Sequence, residues 1–257
     1  MKLDGNTILI TGGSTGIGFE FAKEFERRGN TVIITGRDKT KLERARSLLP
    51  HLHAFQSDVS KVEDIEALYQ RVTQEFPNLN VLFNNAGVMR IVNLHKVEGS
   101  LEDFTAEVDI NLKGPIRMTR RFLPELKKRP AAAIVNISSG LAFVPLPISP
   151  IYCATKAALH SFSLSLRAQL ANTNVSVFEI APPATETELL GPFDAEDLKG
   201  VPIMKVDEMV RTSLKGLADG RLEIRPGQSN QLKLMNRLAP EFILSQLSKP
   251  VAKMLQG

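Results

Sequence analysis

Cysteine occurs once in this 257-residue chain, at Cys153; tyrosine occurs only twice and tryptophan not at all. A single cysteine excludes an internal disulfide and any cysteine-based zinc site, and it is compatible with a reducing cytoplasm. No apolar run approaches the roughly 20 residues that a membrane-spanning helix requires. The opening MKLDGNTILITGG shows no signal-peptide pattern. A soluble, cytoplasmic protein is therefore expected. Charge runs of one sign are also missing. Lys and Arg interleave with Asp and Glu, and a net charge of +4 leaves no basic patch of the kind that grips nucleic acid. Low-complexity linkers and internal repeats are absent, so residues 1–257 are expected to form one domain. No metal site is expected.

What is present alternates. Apolar, β-rich runs occur at 6–13 (NTILITGG), 31–35 (TVIIT), 53–59 (HAFQSDV), 79–87 (LNVLFNNAG), 132–139 (AAIVNISS) and 175–183 (VSVFEIAPP). Helical patterns fill 16–29, 39–49, 60–76, 103–126 and 150–171, and Ser60 with Glu63 forms a capping-box signal for the third. Near-continuous apolar strands separated by helices predict an α/β fold, one doubly wound parallel sheet with helices on both faces. Residues 188–210 break the alternation and read as a substrate lid. Residues 230–257 read as a helical tail interrupted by Pro240 and Pro250.

The first strand runs into TGGSTGIG, where Gly12, Gly16 and Gly18 precede a helix. Glycines there permit a tight turn and let a diphosphate approach the backbone, and the helix N-terminus supplies free N–H groups. No Lys-Ser/Thr follows the last glycine, so the turn is not a P-loop. The second strand ends IITGRDKTK. Arg37 stands where a basic residue favours a 2′-phosphate, Gly36 leaves room for it, and the acidic Asp38 lies past the strand end. NADP(H) is accordingly favoured over NAD(H).

IYCATKAALHSF (151–162) puts Tyr152 and Lys156 on one helix face. A free phenol titrates near 10, and a neighbouring ammonium favours its ionised form. Such a tyrosine can pass a proton to a carbonyl oxygen or take one from an alcohol. Ser139, at the end of the IVNISS strand, is placed to hydrogen-bond the same oxygen.

Taken together, these residues resemble the short-chain dehydrogenase/reductase family over at least residues 5–190. TGGSTGIG resembles its glycine turn, NNAG (84–87) its strand-four ending, and Asp58-Val59 the pair that contacts adenine. The IN dipeptide at 110–111 matches its asparagine position, while Ser139 and YCATK match its serine and Tyr-x-x-x-Lys at the family spacing. The resemblance implies a Rossmann-type sheet and a catalytic set of Asn111, Ser139, Tyr152 and Lys156. Tyr152 would be the acid/base, Ser139 would polarise the carbonyl, and Lys156 would bind the nicotinamide ribose and depress the tyrosine pKa. Asn111 would hold a water in a proton relay, and Ser138 is the decoy beside Ser139. Cofactor contacts would come from Gly12, Ser14, Thr15, Gly16, Ile17, Gly18, Arg37, Asp58, Val59, Asn85, Ala86, Gly87, Tyr152, Lys156, Pro182 and Thr187. A homo-oligomer, dimer or tetramer, is implied as well. Through SGLAF, YCATKAALHSFSLSLR and APP the chain also resembles the reductases encoded beside teichoic-acid D-alanylation genes, a neighbourhood that names no substrate.

One motif departs from the family pattern. PPATET places Pro183 where the family usually has glycine, with Thr187 at the expected threonine position. Pocket walls implied by the resemblance are 89–99, the apolar and proline-rich 140–150, and 188–205. They suggest an apolar ketone, aldehyde or secondary alcohol with no phosphate anchor. The expected function is thus NADP(H)-dependent carbonyl/alcohol interconversion. A non-catalytic cofactor-binding sensor, or an isomerase or dehydratase using the same Tyr/Lys pair, are the alternatives.

Overall fold

A computed structural model of the chain describes residues 1–96, 99–194 and 196–255; Val97, Glu98, Ala195, Gln256 and Gly257, which fall in the wall, lid and tail segments named above, lie outside the described residues. Strands β1 (Thr7–Thr11), β2 (Thr31–Gly36), β3 (His53–Gln56), β4 (Val81–Asn84), β5 (Ala132–Ile137), β6 (Val175–Ile180) and β7 (Glu223–Ile224) pair in parallel. Among the described residues they form one sheet in the order β3-β2-β1-β4-β5-β6-β7. The order reverses between β1 and β4, and in such sheets the crevice beyond the strand C-termini at that switch is where ligands bind.

Both sheet faces are buried, which explains why the strands read as unbroken apolar runs. Successive side chains point to opposite faces. Ile8, Ile10, Val32 and Ile34 pack under α1 (Gly16–Glu26) and α2 (Lys39–Leu48), where Phe21, Phe25 and Leu42 are buried. Leu9 and Ile33 face the other way, toward the cluster shared with α3 (Val62–Glu75), α5 (Gly114–Leu126) and α6 (Pro150–Gln169). Phe21, Phe25 and Phe83 form a ring cluster with centroids 5.2–6.0 Å apart. Full burial of each such ring contributes roughly 1.5–3 kcal/mol.

Four local features depart from the sequence reading. The third helix starts at Val62 with no side-chain cap; Ser60 Oγ turns to Asp58 Oδ1 (2.7 Å) while Asp64 Oδ2 accepts from Asp58 N (2.8 Å). The long helix expected over 103–126 begins at Leu101 and is three pieces: α4 (Leu101–Val108), a π-helical turn at Asp109–Lys113, and α5. The last part of the 188–210 segment is not loop, because α7 (Val206–Ala218) buries Met209, Val210, Leu214 and Leu217 against the core. β7 then adds a two-residue edge strand. The tail forms α8 (Ser229–Leu238), α9 (Pro240–Leu247) and α10 (Lys249–Met254), with Pro240 the first residue of α9 and Pro250 the second of α10.

Candidate active site

A cleft of about 820 Å³ opens at the switch point. Its floor near β1 is the glycine turn. Gly12 has φ +63°, a conformation that disfavours any Cβ, and a Cβ there would also sit 2.8 Å from Ala86 Cα. Gly18 has no such dihedral demand, yet a Cβ on it would lie 2.4 Å from Asn85 Nδ2 and from the Gly12 carbonyl. The turn is braced from β4: Asn85 Nδ2 donates to the carbonyls of Thr11 and Gly12 (both 2.9 Å), and Thr11 Oγ1 accepts from the backbone N–H groups of Asn85 and Ala86. Asn85 therefore shapes the cradle through its side chain. The first turn of α1 has no side-chain cap on its N–H groups, and Ser14, Thr15, Gly16 and Ile17 line the cleft there.

Beside the ends of β2 and β3, Thr35, Gly36, Arg37, Asp38, Lys41, Ser57, Asp58 and Val59 line the same cleft. Asp38 is the N-cap of α2 and accepts from Lys41 N at 3.1 Å. A Cβ on Gly36 would stand 3.2 Å from Ser14 Oγ, so the glycine keeps the turn and the second strand in close contact. Lys41 Nζ reaches across to Glu188 Oε2 at 2.5 Å. Lys41, Ser57 and Glu188 were not singled out from the sequence; Lys41 sits in a charged helix pattern where nothing marks one lysine from another.

The other end of the cleft holds the four residues of the expected catalytic set, all buried. Tyr152 is 4% exposed and Lys156 4%, one helical turn apart on α6. Lys156 Nζ donates to the Ile137 carbonyl at 2.9 Å and lies 5.6 Å from the Tyr152 ring centroid. Ser139 Oγ accepts from Leu141 N (3.1 Å) at the start of a short 3₁₀ turn. Ser138 turns the other way and donates to Glu179 Oε1 at 2.5 Å. Asn111 sits in the π turn, fully buried; its Nδ2 donates to Val88 O (2.8 Å) and Thr155 Oγ1 (3.2 Å), and its Oδ1 accepts from Val88 N (2.9 Å). A Cβ on Gly87 would be 3.4 Å from both Asn111 Oδ1 and Lys156 Nζ, so the NNAG ending leaves open the point where these two groups converge. The extra residue of a π turn re-aims a side chain without ending a helix, and such turns often occur at functional sites.

The electrostatics of the pair differ from the expectation. Burial pushes the Tyr152 phenol above its ordinary value of 10, with a hydrogen bond to Ser139 pulling the other way. Lys156 is pulled down by burial to about 8, with the Glu179 carboxylate opposing that fall. The ammonium points at the Ile137 carbonyl instead of the phenol oxygen, and desolvation of the ring dominates. Cys153 packs beside Tyr152 with its Sγ against Leu146 N (3.2 Å) and is pushed up to about 11, which leaves it an unreactive thiol.

Beyond Tyr152 the cleft is apolar, with Leu141, Leu146, Ile148, Leu189, Phe193 and Val201 among its walls. Three tail residues join them: Leu232 from α8, and Ile243 and Leu247 from α9. The tail thus packs back on the cleft. Pro182 and Pro183 line the middle. Pro182 O accepts from Gly140 N (2.8 Å), and a parallel bridge between Thr185 and Met204 pins the ends of the loop that follows. Thr187 lies over the glycine turn, where a Cβ on Gly16 would be 3.4 Å from Thr187 Cβ. Among the described residues no helix is long and apolar enough to cross a membrane.

A parallel sheet, a glycine cradle at its switch point and a buried Tyr/Lys/Ser/Asn group in the same cleft together define a Rossmann-fold oxidoreductase site. The chain belongs to the short-chain dehydrogenase family, whose model matches residues 6–197. It is 43% identical over 250 residues to the uncharacterized oxidoreductase DltE of Bacillus subtilis (strain 168), covering 96% of this chain and 98% of that one. Among solved structures, a short chain dehydrogenase from Burkholderia cenocepacia J2315 in complex with NADP superimposes with a TM-score of 0.82 at 26% identity, over 96% of this chain and 99% of that one. The 3-ketoacyl-(acyl-carrier-protein) reductase of Brucella melitensis, complexed with NADH, does so with a TM-score of 0.79 at 29% identity, over 89% and 100% of the two chains. Relatives with this fold thus bind either dinucleotide.

Proposed function

We propose that the protein is a cytoplasmic NADP(H)-dependent reductase/dehydrogenase that interconverts a carbonyl and an alcohol on an apolar small molecule. The observation that carries this reading is the position of Tyr152: a buried phenol where the glycine-lined cleft meets its apolar end, with Ser139 as hydrogen-bond partner and Lys156 one turn away. The cradle at Gly12–Gly18 fits a dinucleotide diphosphate, since Gly12 and Gly18 have no room for a Cβ. Asp58 and Val59 would hold the adenine, Asn85–Gly87, Pro182 and Thr187 the middle of the cofactor, and Lys156 the nicotinamide ribose. When bound, the dinucleotide supplies the hydride for reduction or accepts it in the reverse direction.

Tyr152 is held as a phenol, the form that donates a proton to a carbonyl oxygen as charge develops there. Ser139 orients that oxygen by a second hydrogen bond. Asn111 and Lys156 converge near Gly87, which supports a proton path leading away from the site. The preference for NADP(H) is supported by Asp38, whose carboxylate caps α2, and by Arg37 and Lys41 on the cleft wall. Leu141, Leu146, Phe193 and Leu232 favour a hydrophobic substrate. The resemblance further supports a dimer or tetramer, which sedimentation equilibrium would test.

An NADPH- and NADH-oxidation screen across aliphatic, aromatic, keto-acid and steroid carbonyls tests the reading. Turnover of an apolar carbonyl with NADPH preferred is expected. Tight NADPH binding with no turnover of any carbonyl would instead favour a sensor.

A further inference from the structure

Tyr152, Lys156 and His160 recur every fourth residue along α6, so one face of the helix carries the proposed acid/base, the proposed ribose ligand and then an imidazole. That face lies over β5 and β6. On β6, directly across from Asn136 of β5, stands Glu179, a carboxylate with no exposed surface. Its two oxygens are taken by different elements: Oε1 accepts from Ser138 Oγ at 2.5 Å, and Oε2 lies 2.7 Å from His160 Nδ1. The residue before Ser138 is Ile137, whose carbonyl receives Lys156 Nζ. Ammonium and carboxylate are therefore anchored at consecutive residues, the last of β5 and the one that follows it, both away from water.

A lone buried charge is strongly unfavourable, and a buried lysine with no counter-charge sheds its proton. We propose that Glu179 is the counter-charge that keeps Lys156 an ammonium, with Ser138 and His160 as positioning residues that hold its carboxylate beneath the site. The role given to Lys156 rests on the function proposed above; the electrostatic pairing does not. The opposing pulls on Lys156, burial downward and Glu179 upward, have the sign this arrangement requires. A second carboxylate faces this pair, since an oxygen of Glu223 lies within 4.8 Å of both His160 and Glu179, but cations of its own neutralise it. Glu223 of β7 pairs with Lys233 (2.6 Å) of α8 and Arg225 (3.3 Å), and Arg167 of α6 donates to the carbonyls of Val177 and Leu222. The outer side of His160 meets the Phe143 ring, itself under Lys233 Nζ. This also explains why Ser138 precedes Ser139: one hydroxyl serves the carboxylate below, its neighbour the cleft above.

The test is a direct titration of Lys156 in the cofactor-free full chain, following its ¹³Cε resonance in lysine-labelled protein and assigning it with Lys156→Arg. Wild type should titrate near 8. Glu179→Gln keeps the shape and removes the charge, and should lower that midpoint by at least about one pH unit, a tenfold shift in the ammonium-to-amine ratio. Glu179→Asp should restore part of the loss. If Glu179→Gln does not fold, His160→Arg places a fixed cation on the same carboxylate at a partly open position and should lower the midpoint as well. An unchanged midpoint in either folded variant overturns the proposal. Because no turnover is read, a chain that reduced no carbonyl would still answer this question, and an active enzyme with an unmoved midpoint would retain its function and lose only this inference.

Discussion

Around the glycine turn, the parts are tied by buried or half-buried hydrogen bonds: Asn85 to two carbonyls, Thr11 to two N–H groups, Asn84 to Asn136 at 2.8 Å. Around the apolar end, the walls come from 3₁₀ turns, an irregular loop and two short tail helices. They are tied mainly at the surface, by Lys253 to Asp194 and Asp197 and by Lys41 to Glu188, with one half-buried hydrogen bond from Asn93 Nδ2 to Met254 O (3.2 Å). Exposed ion pairs of this kind contribute little and weaken with salt. One end of the cleft is therefore stiff and specific in shape, and the other is adjustable. Such a division suits a protein that binds one cofactor and releases a product at every turnover.

The largest effects should come where the two ends meet. Tyr152→Phe removes one oxygen, and turnover should fall by roughly 10²–10⁴-fold while fluorescence-measured NADPH affinity stays nearly unchanged; retained turnover would remove Tyr152 from the chemistry. Next comes the stiff end. Gly18→Ala forces a methyl group toward Asn85 Nδ2 and the Gly12 carbonyl, and such overpacking costs about 1–3 kcal/mol. A lower thermal midpoint together with loss of NADPH binding is expected, whereas a variant that binds normally would show that the cradle yields. At the wall that carries Arg37, a contact to a charged group is worth roughly 1.5–3 kcal/mol. Arg37→Ala should then raise KM for NADPH about tenfold or more and leave that for NADH alone.

The pH dependence separates binding from folding at Lys156. Its ammonium is present below about 8 and lost above, so cofactor affinity should weaken as pH rises through that value. Folding stability responds with the opposite sign. The folded value lies below the ordinary 10.5, so between about 8 and 10.5 the unfolded chain holds the extra proton. This group's contribution to stability therefore rises with pH across that window. Fluorescence titration and chemical denaturation at the same pH values would expose the two trends.

The same division governs what could be read from the sequence. β1, the glycine turn and α1 were legible because backbone demands there restrict residue type: only glycine tolerates the Gly12 dihedral, and only apolar residues suit strands buried on both faces. The Tyr152–Lys156 pair was legible from helical spacing, and Ser139 from its strand end. The π turn carrying Asn111 was not, since one extra residue per turn leaves no mark in a helical apolar pattern. α7 was hidden because its buried stripe begins immediately after an irregular loop. The tail's part in the cleft was hidden too, because Leu232, Ile243 and Leu247 are ordinary apolar helix residues whose partners are distant in sequence. Glu179 stood unmarked inside an apolar strand as one acidic residue in VSVFEIAPP, and its meaning depends on Ser138 and His160 arriving from two other elements.

The smallest effect tests the adjustable end most directly. Lys253 on α10 clasps Asp194 and Asp197 of the loop after β6, which draws the tail and that loop together over the apolar end of the cleft. All three groups are at or near the surface, so Lys253→Ala should leave the thermal midpoint almost where it was. If the clasp serves the far wall, KM should rise a few-fold for long apolar carbonyls that reach Leu232, Ile243 and Leu247, and stay constant for short ones confined near Tyr152. Raising the salt concentration toward about 1 M on wild type should reproduce that pattern, because the screening length then falls to about 3 Å, comparable with these contacts. Equal changes for short and long substrates would mean that the tail acts on the whole site. The cleft would then lack the two mechanical regimes inferred from its hydrogen bonds and ion pairs.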